Sequence, residues 1–159
     1  MGIIRIVWGT AAEATAMASY DAALAGANVH NYNLVSVSSV VPANATLETV
    51  GEAPDLGPAG ERLTVVEARA TVAPGRSEPA VASLGWDREP GGPGIFYETS
   101  GTDVDAVEER IEDGLAAGRA LREWSFGDAG RELVVAKRDS ERYTTAVVLA
   151  VYGRSSPIV

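Results

Sequence analysis

The sequence predicts an α+β fold: an αββα four-layer sandwich of two mainly antiparallel sheets, packed face to face, with two long helices outside them. Residues 143–152 (YTTAVVLAVY) are apolar in both strand registers, which indicates a strand that is covered on both faces. The chain contains many strand-like segments but only two long helical ones. Because two helices cannot cover so many strands, two sheets that cover each other are the economical arrangement. A single sheet with both helices on one side and a partner subunit on the other is the alternative.

The length and composition favour one domain over residues 1–159. Hydrophobic residues make up 46% of the 159 residues, so the chain can bury a substantial core. Residues 1–5 do not have the form of a signal peptide, and no apolar run approaches the roughly 20 residues that a membrane helix needs. We therefore expect a cytoplasmic protein that does not enter a membrane.

The charged residues exclude several classes of function. The net charge is −9, so the surface should repel nucleic acids and anionic lipids. Lys137 is the one lysine, and an acid-rich, lysine-poor composition is typical of a protein that works in concentrated salt. The chain has no cysteine and one histidine, His30, so we expect no metal site and no Ser-His-Asp triad. A pyridoxal phosphate (PLP) enzyme needs a Schiff-base lysine. Only Lys137 could serve and it is not a convincing candidate, so we expect no such cofactor here.

The first third of the chain reads as strand, helix, strand. Residues 2–9 are apolar and predict a strand. Thr10 to Glu13 (TAAE) matches a capping box, which predicts a helix from there to about residue 25, ended by Gly26. The apolar face of this helix should contain Met17, Tyr20 and Leu24. Asp21 lies beside that face, where a solvated helix-edge acid and a functional carboxylate are both possible.

The remaining elements follow from strand alternation, turn residues and one further helical period. Strands are predicted over residues 29–41, 46–50, 63–72, 80–86, 94–98, 132–137 and 143–152, and residues 63–72 and 80–86 should pair as a hairpin. Thr102 to Asp105 should open the second helix. Its buried face should contain Val104, Val107, Ile111 and Leu115, and its solvated face Glu108, Glu109, Glu112 and Asp113.

Residues 33–42 (NLVSVSSVVP) are the segment that we interpret functionally. The Ser38-Ser39 pair lies where a strand gives way to a loop, because Pro42 lacks a backbone N–H and ends the regular pairing. Backbone strain can be held at such a point, with a hydroxyl aimed at the neighbouring carbonyl. We interpret the Ser38–Ser39 bond as a site of self-cleavage at which Ser39 becomes the cofactor.

Three segments together resemble the pyruvoyl-dependent arginine decarboxylases, small archaeal-type enzymes. They are residues 20–24 (YDAAL), residues 33–42 (NLVSVSSVVP) and residues 94–98 (GIFYE). The turn at Pro74-Gly75 also fits the family. The resemblance covers most of the chain, and the Asn-Leu to Ser-Ser to Pro block is its most specific part.

The resemblance implies that Ser39 attacks the Ser38 carbonyl and that β-elimination separates residues 1–38 from residues 39–159. Residue 39 would then carry a covalent pyruvoyl group, whose ketone accepts the electrons released as CO₂ leaves the substrate. In the same scheme Glu98, in an apolar setting, returns a proton to the substrate, and Asn33 orients the pyruvoyl carbonyl. Asp21 pairs with the guanidinium of arginine, which a carboxylate meets bidentately.

The family also implies a homotrimer of processed αβ units with sites at subunit boundaries, where Asp21 and Ser39 can come from different subunits. The implied reaction converts L-arginine to agmatine and CO₂. Two alternatives stay open from the sequence. One is a pyruvoyl decarboxylase for another amino acid, and the other is a trimeric homologue that is never cleaved and only binds a ligand.

Overall fold

The computed structural model describes residues 2–159 as two helices and nine strands. The helices are α1 (Ala16–Gly26) and α2 (Val104–Ala120). The strands are β1 (Ile3–Glu13), β2 (Asn33–Ser36), β3 (Val40–Val41), β4 (Thr46–Gly51), β5 (Arg62–Val72), β6 (Ala80–Arg88), β7 (Gly94–Gly101), β8 (Gly130–Ala136) and β9 (Tyr143–Tyr152). Within residues 2–159 neither helix has the length and apolar composition that crossing a bilayer requires.

The strands form a five-stranded sheet in the order β2-β5-β9-β1-β4 and a four-stranded sheet in the order β3-β7-β6-β8. The pairs β1–β4 and β2–β5 are parallel and the others are antiparallel. Helix α1 packs on β1, β9 and β5, whereas α2 packs on β7 and β6. The predicted αββα sandwich is confirmed, and the single-sheet alternative is wrong.

Strand β9 lies at the centre of the five-stranded sheet and is buried from Thr144 to Val151. Successive side chains of a strand point to opposite faces. One set packs between the two sheets, and the other packs beneath α1; they are Ala146, Val148 and Ala150 for the first and Val147, Leu149 and Val151 for the second. The two apolar registers read from the sequence therefore correspond to two separate cores.

Helix α2 covers the four-stranded sheet through Ile111 and Leu115. A Cβ atom on Gly85 of β6 would lie 2.6 Å from the Ile111 side chain, so the absence of a side chain there lets the helix approach the sheet. The N-cap is Asp103, whose carboxylate accepts from Ala106 N at 2.8 Å. The cap is thus one residue after Thr102, which opened the predicted helix.

The prediction that Thr10 to Glu13 starts α1 is wrong. These residues extend β1, and each of them pairs with β9, from Thr10 opposite Ala146 to Glu13 opposite Tyr143. The helix begins at Ala16, and its N-cap is Thr15, whose hydroxyl accepts from Ala18 N at 3.1 Å. A local capping pattern was overridden here because the long neighbouring strand offers hydrogen bonds to the whole of β1.

Two further predictions are corrected by the packing. Met17 does not face the core: its side chain is 76% exposed, and the buried residues of α1 are Ser19, Ala23 and Leu24. The strands over residues 63–72 and 80–86 do not form a hairpin, because β5 lies in the five-stranded sheet and β6 in the four-stranded sheet. The turn between them carries the chain from one sheet to the other.

The single strand predicted over residues 29–41 is two strands in different sheets. Strand β2 pairs with β5 in the five-stranded sheet, and β3 pairs with β7 in the four-stranded sheet. Residues 37–39 therefore form a crossing between the two sheets. The Ser38-Ser39 pair lies in this crossing.

Candidate active site at the sheet crossing

Backbone hydrogen bonds hold the crossing on both sides of the Ser38–Ser39 peptide bond. Val37 N donates to Val65 O of β5 at 3.1 Å, which is the last contact with the five-stranded sheet. Phe96 N of β7 donates to Ser39 O at 2.8 Å, which is the first contact with the four-stranded sheet. The Ser38–Ser39 peptide bond therefore lies between two positions that hydrogen bonds fix to different sheets.

Ser39 has a left-handed backbone conformation, with φ of +56°. Among the described residues, only Asn28 and Asn44 share this conformation without being glycine. Asparagine tolerates it because its side chain can bond locally, whereas a serine held there costs about 1–2 kcal/mol. The two sheets therefore impose strain on the residue that follows the bond.

The Ser39 hydroxyl donates to Glu98 Oε2 at 3.0 Å. Glu98 belongs to β7, two residues beyond the Phe96 amide that holds the Ser39 carbonyl. The structure therefore brings together two of the predicted site residues. Glu98 is exposed in the single chain, so the apolar setting that was expected for this carboxylate is not present there.

Tyr152, at the end of β9, was not identified from the sequence. Its hydroxyl donates to Val40 O at 2.8 Å, so it holds the carbonyl of the residue that follows Ser39. Burial, and then the nearby charge of Glu98, raise the pKa of the Tyr152 phenol above its ordinary value near 10. The phenol therefore keeps its proton, and can donate, at pH values at which a free tyrosine begins to lose it.

An aromatic row supports this side of the site. The Phe96 ring makes edge-to-face contacts with Tyr152, at a centroid distance of 6.1 Å, and with Trp86, at 6.4 Å. Such pairs fix ring orientation as well as burying area. Tyr152 is thus held by packing at its ring and by Val40 at its hydroxyl.

A cavity of about 260 Å³ opens beside the crossing, between β7 and α2. It is lined by Ser38, Ser39, Ile95, Phe96, Tyr97, Gly114, Ala117, Gly118, Leu121 and Arg122. The lining is apolar apart from the two serines, Tyr97 and Arg122. A space of this size suits a ligand no larger than an amino acid.

The other two predicted site residues lie away from Ser39 in the single chain. The Asn33 side-chain amide donates to Gly60 O at 2.8 Å, at the start of β2. Asp21 is on the exposed side of α1, on the far side of both sheets from α2 and its cavity. Within the single chain, Asp21 is therefore not brought to Ser39.

The described residues contain no group of three or more His, Asp or Glu side chains that could hold a metal ion.

The fold and site define a small αββα protein in which a strained serine, bonded to a carboxylate, lies at the point where the chain changes sheets.

Comparison with known proteins identifies the family to which this site belongs. The family model described as "Pyruvoyl-dependent arginine decarboxylase" matches residues 3–157. Two relatives, from Halobacterium salinarum strains R1 and NRC-1, carry the same name. Each is 49% identical over 157 residues, which are 98% of this chain and 96% of the relative. The chain belongs to the pyruvoyl-dependent arginine decarboxylase family.

Proposed function

We propose that this protein decarboxylates L-arginine to agmatine and CO₂ after cutting its own backbone between Ser38 and Ser39. The observation that carries the proposal is the geometry of Ser39. It is strained at φ +56°, fixed through its carbonyl and bonded through its hydroxyl to Glu98. Family membership over nearly the whole chain supports the same chemistry.

The proposed cleavage uses groups that the chain already holds in place. The Ser39 hydroxyl attacks the carbonyl carbon of Ser38, and the amide bond breaks as an ester forms. Loss of the Cα proton of residue 39 then breaks its Cβ–O bond, which releases residues 1–38 with a terminal carboxylate. The dehydroalanine left at residue 39 takes up water and loses ammonia, and a pyruvoyl group remains.

Strain at Ser39 favours this reaction because the ester relieves a backbone conformation that costs about 1–2 kcal/mol. Glu98 orients the attacking hydroxyl, and Tyr152 fixes the next carbonyl at Val40. The residues around position 39 fit a pyruvoyl group, since the serine from which it forms faces a small cavity of mostly apolar lining.

A pyruvoyl group supplies a ketone that bonds the substrate's amino group and accepts the electron pair released with CO₂. The remaining tasks fall to the chain's own side chains. Glu98, within hydrogen-bond reach of residue 39, holds the proton that is returned to the substrate's Cα. Asn33 lies away from residue 39 of its own chain, so it would orient the reacting carbonyl of a neighbouring subunit.

We further propose a homotrimer in which Asp21 of a neighbouring subunit meets the substrate's guanidinium. The exposed position of Asp21 on α1, remote from Ser39 of its own chain, supports this assignment. Sedimentation would test the trimer, and a KM for arginine that Asp21→Ala leaves unchanged would remove Asp21 from the site.

The net charge of −9 supports function in concentrated salt, which measurements of unfolding in dilute and in molar salt would test.

Replacing Ser39 by alanine tests the cleavage. Ser39→Ala removes the nucleophile, so intact mass spectrometry should find one full-length chain without arginine decarboxylase activity. Ser38→Ala is the matched control, because the reaction uses the Ser38 carbonyl and not its hydroxyl. This control should give fragments 1–38 and 39–159. A wild-type chain that stays intact would favour a homologue that only binds its ligand, and turnover of lysine or histidine in preference to arginine would change the substrate.

Glu98→Gln separates the two proposed steps. Glutamine can still accept a hydrogen bond from Ser39, so the chain should be cut. It cannot supply a carboxylic acid proton, so kcat should fall by about 10²–10⁴. The two bands on a denaturing gel and the rate of CO₂ release measure the two steps independently. A cut variant with wild-type kcat would contradict the role of Glu98.

A further inference from the structure

Arg122 is the one charged residue that lines the cavity at Ser38 and Ser39, as far as residues 2–159 are concerned. It follows the end of α2 and is half-buried. A cation that faces an otherwise almost uncharged cavity is a strong determinant of which end of a charged ligand can enter it.

The guanidinium of Arg122 has only neutral partners. Its Nη1 donates to Gly118 O at 2.9 Å, and its Cζ lies 5.4 Å from the centroid of the Trp124 ring. Five of the twelve arginines have carboxylate partners within residues 2–159, namely Arg69, Arg88, Arg119, Arg131 and Arg142. Arg122 makes no such ion pair, so its remaining N–H groups stay available to an anion.

We propose that Arg122 binds the α-carboxylate of the substrate. The proposal rests on the function proposed above, in which the substrate is an amino acid joined at residue 39. The α-carboxylate of such a substrate is close to the joined nitrogen, and Arg122 lines the same 260 Å³ cavity as Ser39. A planar guanidinium meets a carboxylate through two parallel hydrogen bonds.

This assignment fixes the direction of the substrate. The positive charge of Arg122 repels the substrate's own guanidinium, which must point out of the cavity and away from α2. The substrate's guanidinium is then bound by acidic side chains that do not line this cavity. Because the carboxylate is lost in the reaction, its contact with Arg122 is stronger in the ground state than in the transition state. Loss of the contact should therefore raise KM without lowering kcat.

A purely structural role is the competing explanation, because the Arg122 bond to Gly118 O satisfies a carbonyl in the last turn of α2. A structural role would affect stability. It would not distinguish a ligand with a carboxylate from the same ligand with an uncharged amide.

The test measures binding by calorimetry with two ligands that cannot be decarboxylated through residue 39. They are δ-guanidinovalerate, which is arginine without its α-amino group, and its uncharged amide. The wild-type protein should bind the carboxylate more tightly than the amide. Arg122→Gln should weaken binding of the carboxylate about tenfold and leave binding of the amide unchanged. Arg122→Lys keeps the charge but loses the fork, so it should show a smaller loss.

Arg110→Gln is the matched control. Arg110 is also on α2 and also bonds neutral oxygens, at Thr99 Oγ1 and Ser100 O, but it does not line the cavity. Its replacement should leave the preference for the carboxylate intact. Equal affinity of the wild-type protein for the two ligands, or an unchanged preference in Arg122→Gln, would overturn the assignment. Failure of the proposed function has a different signature, since an uncut or inactive wild-type protein would show it before any variant is made.

Discussion

The two helices each cover a cavity, and the larger cavity is not the candidate active site. The cavity under α1 has a volume of about 370 Å³ and is lined by Ala16, Met17, Tyr20, Arg69 and Thr71. The cavity under α2, of about 260 Å³, contains Ser39 and Arg122. Of these two cavities, volume alone would select the one under α1.

The difference between the cavities lies in how their polar groups are bonded. Under α1, Tyr20 donates to Glu67 Oε2 at 2.7 Å, and the Arg69 guanidinium lies 4.4 Å above the Tyr20 ring. Thr71 and Ser19 share a buried hydroxyl network through Thr145. These groups satisfy one another, so they stabilise the layer and leave little for a ligand.

Under α2 the polar groups are strained or without a charged partner. Ser39 is held at a positive φ, and Arg122 bonds only neutral groups. A fold tolerates such costs where they serve a reaction or a ligand. The state of the polar groups therefore distinguishes the layer of the candidate active site from the layer under α1.

The largest effect is expected from adding a methyl group to a glycine of α2, compared with the same change at a glycine of α1. A Cβ at Gly114 of α2 would lie 2.3 Å from the Tyr97 ring, so Gly114→Ala forces the ring to move. Such overpacking costs about 1–3 kcal/mol, and the better helix propensity of alanine recovers up to about 1 kcal/mol. The displaced ring should also narrow the cavity at Ser39 and lower kcat/KM for arginine.

The control lies at the end of α1, where a Cβ on Gly26 would meet its nearest neighbour at 3.4 Å. Gly26→Ala should be neutral or stabilise the protein by up to about 1 kcal/mol. Urea unfolding of both variants and assays with arginine measure the contrast. If both substitutions changed stability and activity alike, the α2 layer would not be the specialised one.

The next effect concerns two tyrosine hydroxyls that donate to backbone carbonyls. Tyr152→Phe releases Val40 O beside the crossing, and Tyr32→Phe releases Gly57 O and Leu56 N at a distant loop. Each lost bond should cost about 1 kcal/mol of stability, so Tyr32→Phe should be the more destabilising of the two. Only Tyr152→Phe should slow cleavage, by about tenfold, because it loosens the residue after Ser39. Mass spectrometry during expression would follow the uncut fraction, and equal cleavage in both variants would reduce Tyr152 to a structural role.

Sequence reasoning predicted the layers because the signal is local: both faces of residues 143–152 are apolar, and both are buried. It failed where distant strands compete for the same hydrogen bonds. Residues 29–41 carry one continuous apolar pattern, and only the positions of β5 and β7 divide it between two sheets. Likewise Thr10 to Glu13 has a helix-cap pattern that pairing with β9 overrides.

The candidate site was predictable where its residues form short patterns with neighbours. Ser39 and Glu98 each lie in such a segment, and the structure joins them. Tyr152 and Arg122 carry no local pattern and approach Ser39 only through the fold; Tyr152 is 112 residues from the carbonyl that it holds. A single tyrosine or arginine outside a recognisable motif cannot be identified as a site residue from the sequence.

The smallest effect concerns the bonded layer and depends on pH. Burial, and then the bond to Glu67, raise the pKa of Tyr20 to about 12 from its ordinary value of 10. A raised pKa means that the folded state holds the phenolic proton more tightly than the unfolded state. The stabilisation is therefore complete below pH 10 and is lost as the pH rises to about 12. With allowance for solvent screening, it should amount to about 1 kcal/mol.

Tyr20→Phe removes this contribution, so the variant should be less stable than the wild-type protein below pH 10 and should converge with it towards pH 12. Urea unfolding at several alkaline pH values measures the difference. Cleavage at Ser39 should not change, because Tyr20 lies under α1 and the crossing lies beside α2. A difference in stability that persisted to pH 12 would mean that the Tyr20 proton is not its source. A defect in cleavage would mean that the two layers are coupled and that the α1 network also supports Ser39.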